Sequence, residues 1–94
     1  MPTLLIRHKV TDYATWQAVF DEQEATRRAH GCQLGRLFRS VSDPNEILIY
    51  LEWDDIERAR LFAQSDDLRE ELKRGEVADE PDLWFLGDTN RAHV

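Results

Sequence analysis

The chain has 94 residues, enough for one domain with a modest core over residues 1–94, with residues 88–94 expected to form a loose tail. With 41% hydrophobic and 33% charged residues, the composition indicates a folded globular protein and excludes an intrinsically disordered one. A net charge of -7 makes nucleic acid and anionic membrane surfaces unfavourable partners. No apolar run approaches the roughly 20 residues of a membrane span. No secretory signal is evident, so we expect a cytoplasmic location.

The first third of the chain predicts a strand and then a helix. Residues 3–10 form the strand, and the short polar side chains of Thr11 and Asp12 suit the N-cap of the following helix. The apolar residues of that helix form one stripe: Tyr13, Trp16, Val19 and Phe20. Gly31 is expected to end the helix, because glycine adopts a left-handed conformation without a steric penalty from a Cβ atom.

The middle of the chain predicts an antiparallel hairpin. Residues 32–41 and 46–53 have strand-like sequences, and the segment SDPNE between them supplies a short turn. A second helix follows, for which Asp54 or Asp55 provides the N-cap. An interruption is expected at residues 65–67.

The helix resumes after this interruption and ends at Gly75. Residues 82–87, DLWFLG, then indicate a last strand. The order is therefore strand, helix, strand, strand, helix, strand. This order predicts a ferredoxin-like α+β domain, with a four-stranded antiparallel sheet and the helices on one face.

The strand at residues 46–53 suggests that the chain pairs with a second copy. Ile47, Ile49 and Leu51 belong to one alternating set, but Leu48 and Tyr50 make the opposite set apolar as well. Since the helices cover only one face of the sheet, the other face needs a partner. Two sheets stacked in a homodimer would bury it and leave a cavity for polar groups.

The segment HGCQLGRLFRSVSDPNEILIYLEWDD carries a resemblance to a known family. With Gly31-Cys32 at its helix end, the turn Asp43-Pro44-Asn45 and a strand ending in Trp53, it resembles the dimeric α/β-barrel proteins related to antibiotic biosynthesis monooxygenases. The resemblance extends over about residues 4–85. It implies a barrel-like homodimer with a pocket for a small molecule.

Members of that family include cofactor-free oxygenases, cyclases, isomerases and haem-degrading enzymes. The haem-degrading members need a histidine on the second helix, whereas this chain has histidines only at positions 8, 30 and 93. Haem breakdown is therefore disfavoured, and we expect no cofactor. No sequence spacing suggests a metal site. A cofactor-free oxygenase would need a base or donor near an acidic phenol in a hydrophobic pocket.

Alternation along the first strand places Arg7 on the open face of the sheet, beside Tyr50 and Glu52. An ion pair between Arg7 and Glu52 would satisfy both charges. Alternatively, Arg7 binds a carboxylate or phenolate of a ligand. Tyr50 and Glu52 are further ligand-binding candidates on this face. Trp84 is another, because the last strand of such dimers can reach the partner chain.

His8 falls on the opposite, apolar face of the same strand and has two interpretations. It is either a neutral, hydrogen-bonded imidazole with a structural role, or a general base or pH-sensitive ligand contact. His30 is interpreted as a cation near a helix C-terminus, and His93 as part of the tail. Cys32 is expected to be a small buried hydrophobe.

Three functions are consistent with these observations. The first is a cofactor-independent monooxygenase or cyclase acting on a small aromatic or polyketide-like compound, for which His8 is the candidate catalytic residue. The second is a non-catalytic ligand-binding or stress-associated homodimer. The third is a ligand-sensing regulator, but a chain of this length has no room for the DNA-binding domain that this role requires.

Overall fold

The structure, a computed structural model, describes residues 1–89 and residue 92. Eight elements follow one another along this part of the chain. They are β1 (Thr3–Lys9), α1 (Tyr13–Glu22), α2 (Glu24–His30), β2 (Cys32–Arg39), β3 (Glu46–Trp53), α3 (Ile56–Ala63), α4 (Asp66–Arg74) and β4 (Asp82–Leu86). His93 and its neighbours 90, 91 and 94 lie outside the described residues, so the prediction of a loose tail is untested there.

The four strands form one antiparallel sheet in the order β2-β3-β1-β4. This is the predicted ferredoxin-like α+β arrangement, in which the first and third strands of the sequence are central neighbours. The hairpin of β2 and β3 is also confirmed, with a register shift between Cys32 and Leu34. Among the described residues, no helix is long and apolar enough to cross a membrane.

Each predicted helical segment contains two helices. Asp12 caps α1 by accepting a hydrogen bond from the Thr15 amide, and Gly31 ends α2 with a φ of 109°, as the sequence predicts. The prediction of one uninterrupted first helix was wrong, because the helix is interrupted at Gln23. There the amide donates to the Phe20 carbonyl, three residues back, which closes the last turn tightly.

The second helical segment breaks where the sequence predicts an interruption. Asp55 caps α3 through the Glu57 amide, and Ser65 caps α4 through the Leu68 amide. Two short helices can therefore follow the curved surface of the sheet instead of one long helix.

The hydrophobic core lies between the four helices and one face of the sheet. Strand residues such as Ile47 and Trp53 are fully buried there and pack with Trp16 and Phe62 from the helices. Both tryptophans are thus core anchors, as expected for large aromatic side chains in a small domain. The opposite side of the sheet, which we call the open face, has no helix against it.

Candidate functional site

Arg7 lies on the open face but is occupied by carboxylates of its own chain. Its Nε donates to Asp82 at 2.8 Å, and its Nη2 donates to Asp79 at 3.0 Å. Glu46 lies 3.6 Å from Nη1. The guanidinium is thus held near the end of the central strand β1 by charge-assisted hydrogen bonds.

The predicted ion pair between Arg7 and Glu52 was therefore wrong. Strand register explains the error, because Arg7 is opposite Leu48 while Glu52 is opposite Thr3. Four residues along a strand separate the two side chains by roughly 13 Å. Alternation predicted the correct face for both residues, but it contains no information on their positions along neighbouring strands.

The other open-face candidates do not gather around Arg7 either. Tyr50 is opposite Leu5 on one side and Arg36 on the other, and Leu5 is in turn opposite Trp84. These side chains form a row across the middle of the sheet, since directly opposed residues share a face. The ligand-binding role of Tyr50, Glu52 and Trp84 stays a prediction.

His8 is on the helix-facing side of β1, where its exposed fraction is 0%. Its ring meets the ring of Trp16 edge-on, with 5.5 Å between centroids. Neither ring nitrogen has a hydrogen-bond partner among the described residues. Burial lowers the pKa of His8 to about 4, so the imidazole is neutral near neutral pH. The expectation of a neutral imidazole is supported, but the expected hydrogen bond is missing.

A small enclosed space, which we call the inner cavity, lies beside His8 between the sheet and the helices. It is lined by Ile6, His8, Trp16, Phe20, Arg27, Ile49, Leu51, Phe62, Leu68, Glu71 and Leu72. Its volume of about 10 Å³ is room for roughly one water. An unpartnered imidazole in an aromatic and aliphatic pocket is costly for folding, and for that reason it is a functional candidate.

Two further charged side chains line the inner cavity, and the sequence analysis missed them. Arg27 of α2 donates from Nη1 to Oε1 of Glu71 of α4 at 2.9 Å, and both residues are only 6% exposed. Burial raises the pKa of Glu71 to about 7, although the nearby guanidinium opposes this shift. Burial also lowers the pKa of Arg27.

The helical spacing of Arg27 and Glu71 indicates that both side chains lie on buried helix faces. Arg27 follows Phe20 by seven positions, which continues the apolar stripe, and Glu71 lies between Leu68 and Leu72 on the buried face of α4. A charge within an apolar stripe is unusual for a buried helix face. What the spacing does not show is that these two stripes meet.

A wider space, which we call the outer groove, opens between α1, α2 and the edge strand β2. It is lined by Phe20, Asp21, Glu24, Arg27, Arg28, Cys32, Gln33, Leu34, Gly35, Leu37 and Leu51. Its volume of about 350 Å³ is in the range of small-molecule sites. Cys32 at its inner side is buried, as predicted, and burial raises the pKa of its thiol.

The remaining histidine of the described residues is not part of either space. His30 lies at the end of α2, where its Nε2 is 2.9 Å from Oδ2 of Asp67 and its ring packs edge-on against Phe62. Within residues 1–89 and 92, no group of three or more histidine, cysteine or acidic side chains has the arrangement of a metal site.

The order of the elements and the sheet topology define an α+β protein of the ferredoxin-like class. The family model for antibiotic biosynthesis monooxygenases matches residues 7–74. Because this match spans more than half of the sequence, the chain belongs to the antibiotic biosynthesis monooxygenase family. No curated protein matches the sequence at a significant level.

Solved structures share the fold at low sequence identity. A protein of Bordetella bronchiseptica assigned to the antibiotic biosynthesis monooxygenases is 21% identical, with a TM-score of 0.79 over 95% of this chain and 97% of that one. A protein from Caulobacter crescentus CB15 with the same assignment is 17% identical, with a TM-score of 0.75 over 95% and 90% of the two chains. SnoaB from Streptomyces nogalater, a cofactor-independent oxygenase, is 18% identical, with a TM-score of 0.70 over 94% of each chain.

Proposed function

We propose that this chain is a cofactor-independent monooxygenase or cyclase that acts on a small aromatic or polyketide-like compound beside His8. The observation that carries the proposal is the buried imidazole with two unpartnered nitrogens among the described residues. Membership of the family and the likeness in fold to SnoaB, a cofactor-independent oxygenase, support it.

The chemistry assigned to His8 is removal of a proton from an acidic phenol. Burial keeps the imidazole neutral near neutral pH, so one ring nitrogen has a free lone pair for that proton. Pairing of the imidazolium with the phenolate that forms beside it would then raise the pKa of the ring. The resulting electron-rich ring would pass electrons to dioxygen in an oxygenase, or attack an internal carbonyl in a cyclase. The rings of Trp16 and Phe20, 5.1 Å apart, supply an apolar wall that excludes water from this step.

We also propose that the chain works as a homodimer joined through the open face. All four strands place apolar side chains on that face, with Leu5 opposite Trp84 and Phe38 opposite Leu48. Phe38, Leu34 and Trp84 are each close to half exposed. An apolar sheet face of this kind is typical of a protein interface. Stacking two such faces would remove these side chains from water.

A second candidate function is a binding or stress-associated dimer without catalysis. The small volume of the inner cavity favours it, because about 10 Å³ is too little for an aromatic ring. In that case the outer groove would hold the ligand, and His8 would take no part.

Turnover of an aromatic substrate separates the two candidate functions, with oxygen uptake reporting an oxygenase and chromatography of the products reporting a cyclase. The protein is mixed with an anthrone and, separately, with a naphthalene hydroquinone, and dissolved oxygen is recorded against the heat-denatured protein. We expect His8→Leu to reduce the turnover rate about a hundredfold, the usual contribution of a general base, while ligand binding is retained. His30→Gln is the control, because His30 lies outside the inner cavity. Full activity of His8→Leu would refute the catalytic role.

The dimer is tested by sedimentation equilibrium. Phe38→Glu places a charge on the open face and is expected to shift the protein to monomer, because a buried unpaired carboxylate is costly. Val41→Glu is the matched control, since Val41 is fully exposed in the turn between β2 and β3. A monomeric wild-type protein would overturn the dimer proposal.

A further inference from the structure

The outer groove and the inner cavity are separated by one thin wall. Phe20, Arg27 and Leu51 line both spaces, so each of these side chains has the groove on one side and the cavity on the other. The groove is large enough for a bicyclic aromatic compound, whereas the cavity that contains His8 is not. A compound that reaches His8 from the groove must therefore displace part of this wall.

Arg27 is the polar part of the wall and is incompletely bonded. Its guanidinium lies flat on Phe20, with Cζ 3.6 Å from the ring centroid. Among the described residues, its only hydrogen-bond acceptor is Glu71, through one nitrogen. A guanidinium has five N–H groups, so several donors of Arg27 are available for the first contact with an entering anion, before that anion replaces Glu71.

We propose that Arg27 selects aromatic compounds that carry an acidic group, and that this group takes the place of the Glu71 carboxylate on the guanidinium. The proposal rests on the proposed function and names the substrate class of the same site. A carboxylate or phenolate entering from the groove meets the side of Arg27 that lines the groove. The guanidinium then leaves Glu71, which removes one contact between α2 and α4, while the contact between His30 and Asp67 remains.

Charge balance favours this exchange. Glu71 loses Arg27, its counter-charge among the described residues, and takes up a proton, because a buried carboxyl without a cation is neutral. Its pKa is already raised to about 7 in the ion pair. The ligand's anionic oxygen replaces the charge that Glu71 gives up, so Arg27 stays paired throughout.

The surroundings contain few other ionisable groups. Among the described residues around Arg27 these are Asp21 of α1, Glu24 and Arg28 of its own helix, Cys32 of β2 and Glu71 of α4. His8 of β1 lines the same cavity.

The sheet and the remaining helix present apolar side chains to this pair. These are Ile49 and Leu51 of β3 and Phe62 of α3. Proton uptake on ligand binding is therefore assigned to Glu71, and a variant at this position tests the assignment.

The probes are 2-naphthoate and 2-naphthamide, which share a ring system and differ in charge. Binding is followed by tryptophan fluorescence, since Trp16 stacks on Phe20 in the wall. At about pH 8 we expect naphthoate to bind at least about tenfold more tightly than naphthamide, as charge-assisted hydrogen bonds to arginine require. Titration calorimetry in two buffers of different ionisation enthalpy should show uptake of about one proton per naphthoate.

Three variants identify the residues responsible for the preference for naphthoate and for the proton uptake. Glu71→Gln, which removes the competing carboxylate but keeps a hydrogen-bond acceptor, should tighten naphthoate binding and abolish proton uptake. The double variant Arg27→Met with Glu71→Gln keeps the site neutral and should bind both probes equally. Arg28→Met is the control, because Arg28 also lines the groove but pairs with Glu24 at the surface, and it should retain the preference.

Two results would overturn the inference. Equal binding of naphthoate and naphthamide to the wild-type protein would remove the role of Arg27 and leave the proposed function intact. Proton uptake that persists in Glu71→Gln would show that the carboxyl is not displaced. If neither aromatic probe binds, the proposed function itself fails.

Discussion

His8 and Glu71 are expected to make opposite contributions to the pH dependence of stability. The pKa of His8 falls from 6.5 to about 4 in the folded protein, so the unfolded chain binds the extra proton and stability is lost as pH falls through this range. The pKa of Glu71 rises from 4.5 to about 7, so the folded protein binds the extra proton. Its contribution is fully present below pH 4.5 and is lost as pH rises towards 7.

The two contributions are similar in size. Each shift is about 2.5 pKa units, and one unit corresponds to about 1.4 kcal/mol, so each group accounts for about 3 kcal/mol at its limit. Between pH 4.5 and 6.5 the unfolded chain holds one proton on His8 and the folded chain holds one on Glu71. The proton numbers are equal, and the two slopes cancel in the wild-type protein.

Single variants remove this cancellation. As the pH falls from about 7.5 to about 4.5, the unfolding free energy of Glu71→Gln should decrease by about 2 to 3 kcal/mol relative to wild type. Over the same range, that of His8→Leu should increase by about the same amount. Urea unfolding followed by tryptophan fluorescence measures both, because Trp16 and Trp53 are buried. If the unfolding free energy of both variants differs from that of the wild type by a constant amount over this pH range, the two pKa shifts are refuted.

Two further predictions concern the fold that positions the site. Gly31→Ala should cost about 1 to 2 kcal/mol, because Gly31 has a φ of 109° and a Cβ atom there would lie 2.5 Å from Oδ1 of Asp54. Gly87→Ala is the control, with open space around its Cβ, and an equal loss in the two proteins would contradict the argument. Phe62→Ala should cost about 3 to 5 kcal/mol, because Phe62 is 2% exposed and packs against Trp53 at 5.1 Å between ring centroids. Its neighbour Leu61 is 66% exposed, so Leu61→Ala should change stability by less than about 0.5 kcal/mol, and thermal unfolding that ranks the two the other way would count against this packing.

The amino-acid sequence alone was sufficient to predict the four strands, the two helical segments and most of their buried faces, but not the break at Gln23. Alternation in β1 placed His8 on the helix side and Arg7 on the open side, and both assignments agree with the structure. The caps at Asp12 and Gly31 were also predictable, because capping is a local property of a few neighbouring residues. The order of these elements was sufficient for the fold class.

Only the tertiary structure decided which charges meet. Arg7 pairs with residues of the β4 region and not with Glu52, because strand register sets its neighbours. The ion pair of Arg27 and Glu71 joins α2 to α4, and its two residues are 44 positions apart in sequence. Periodicity assigns each side chain to a face of its own element, but contact between two faces depends on how the elements pack. For that reason the sequence predicted His8 as a candidate, while the wall that separates it from the outer groove became visible only in the folded chain.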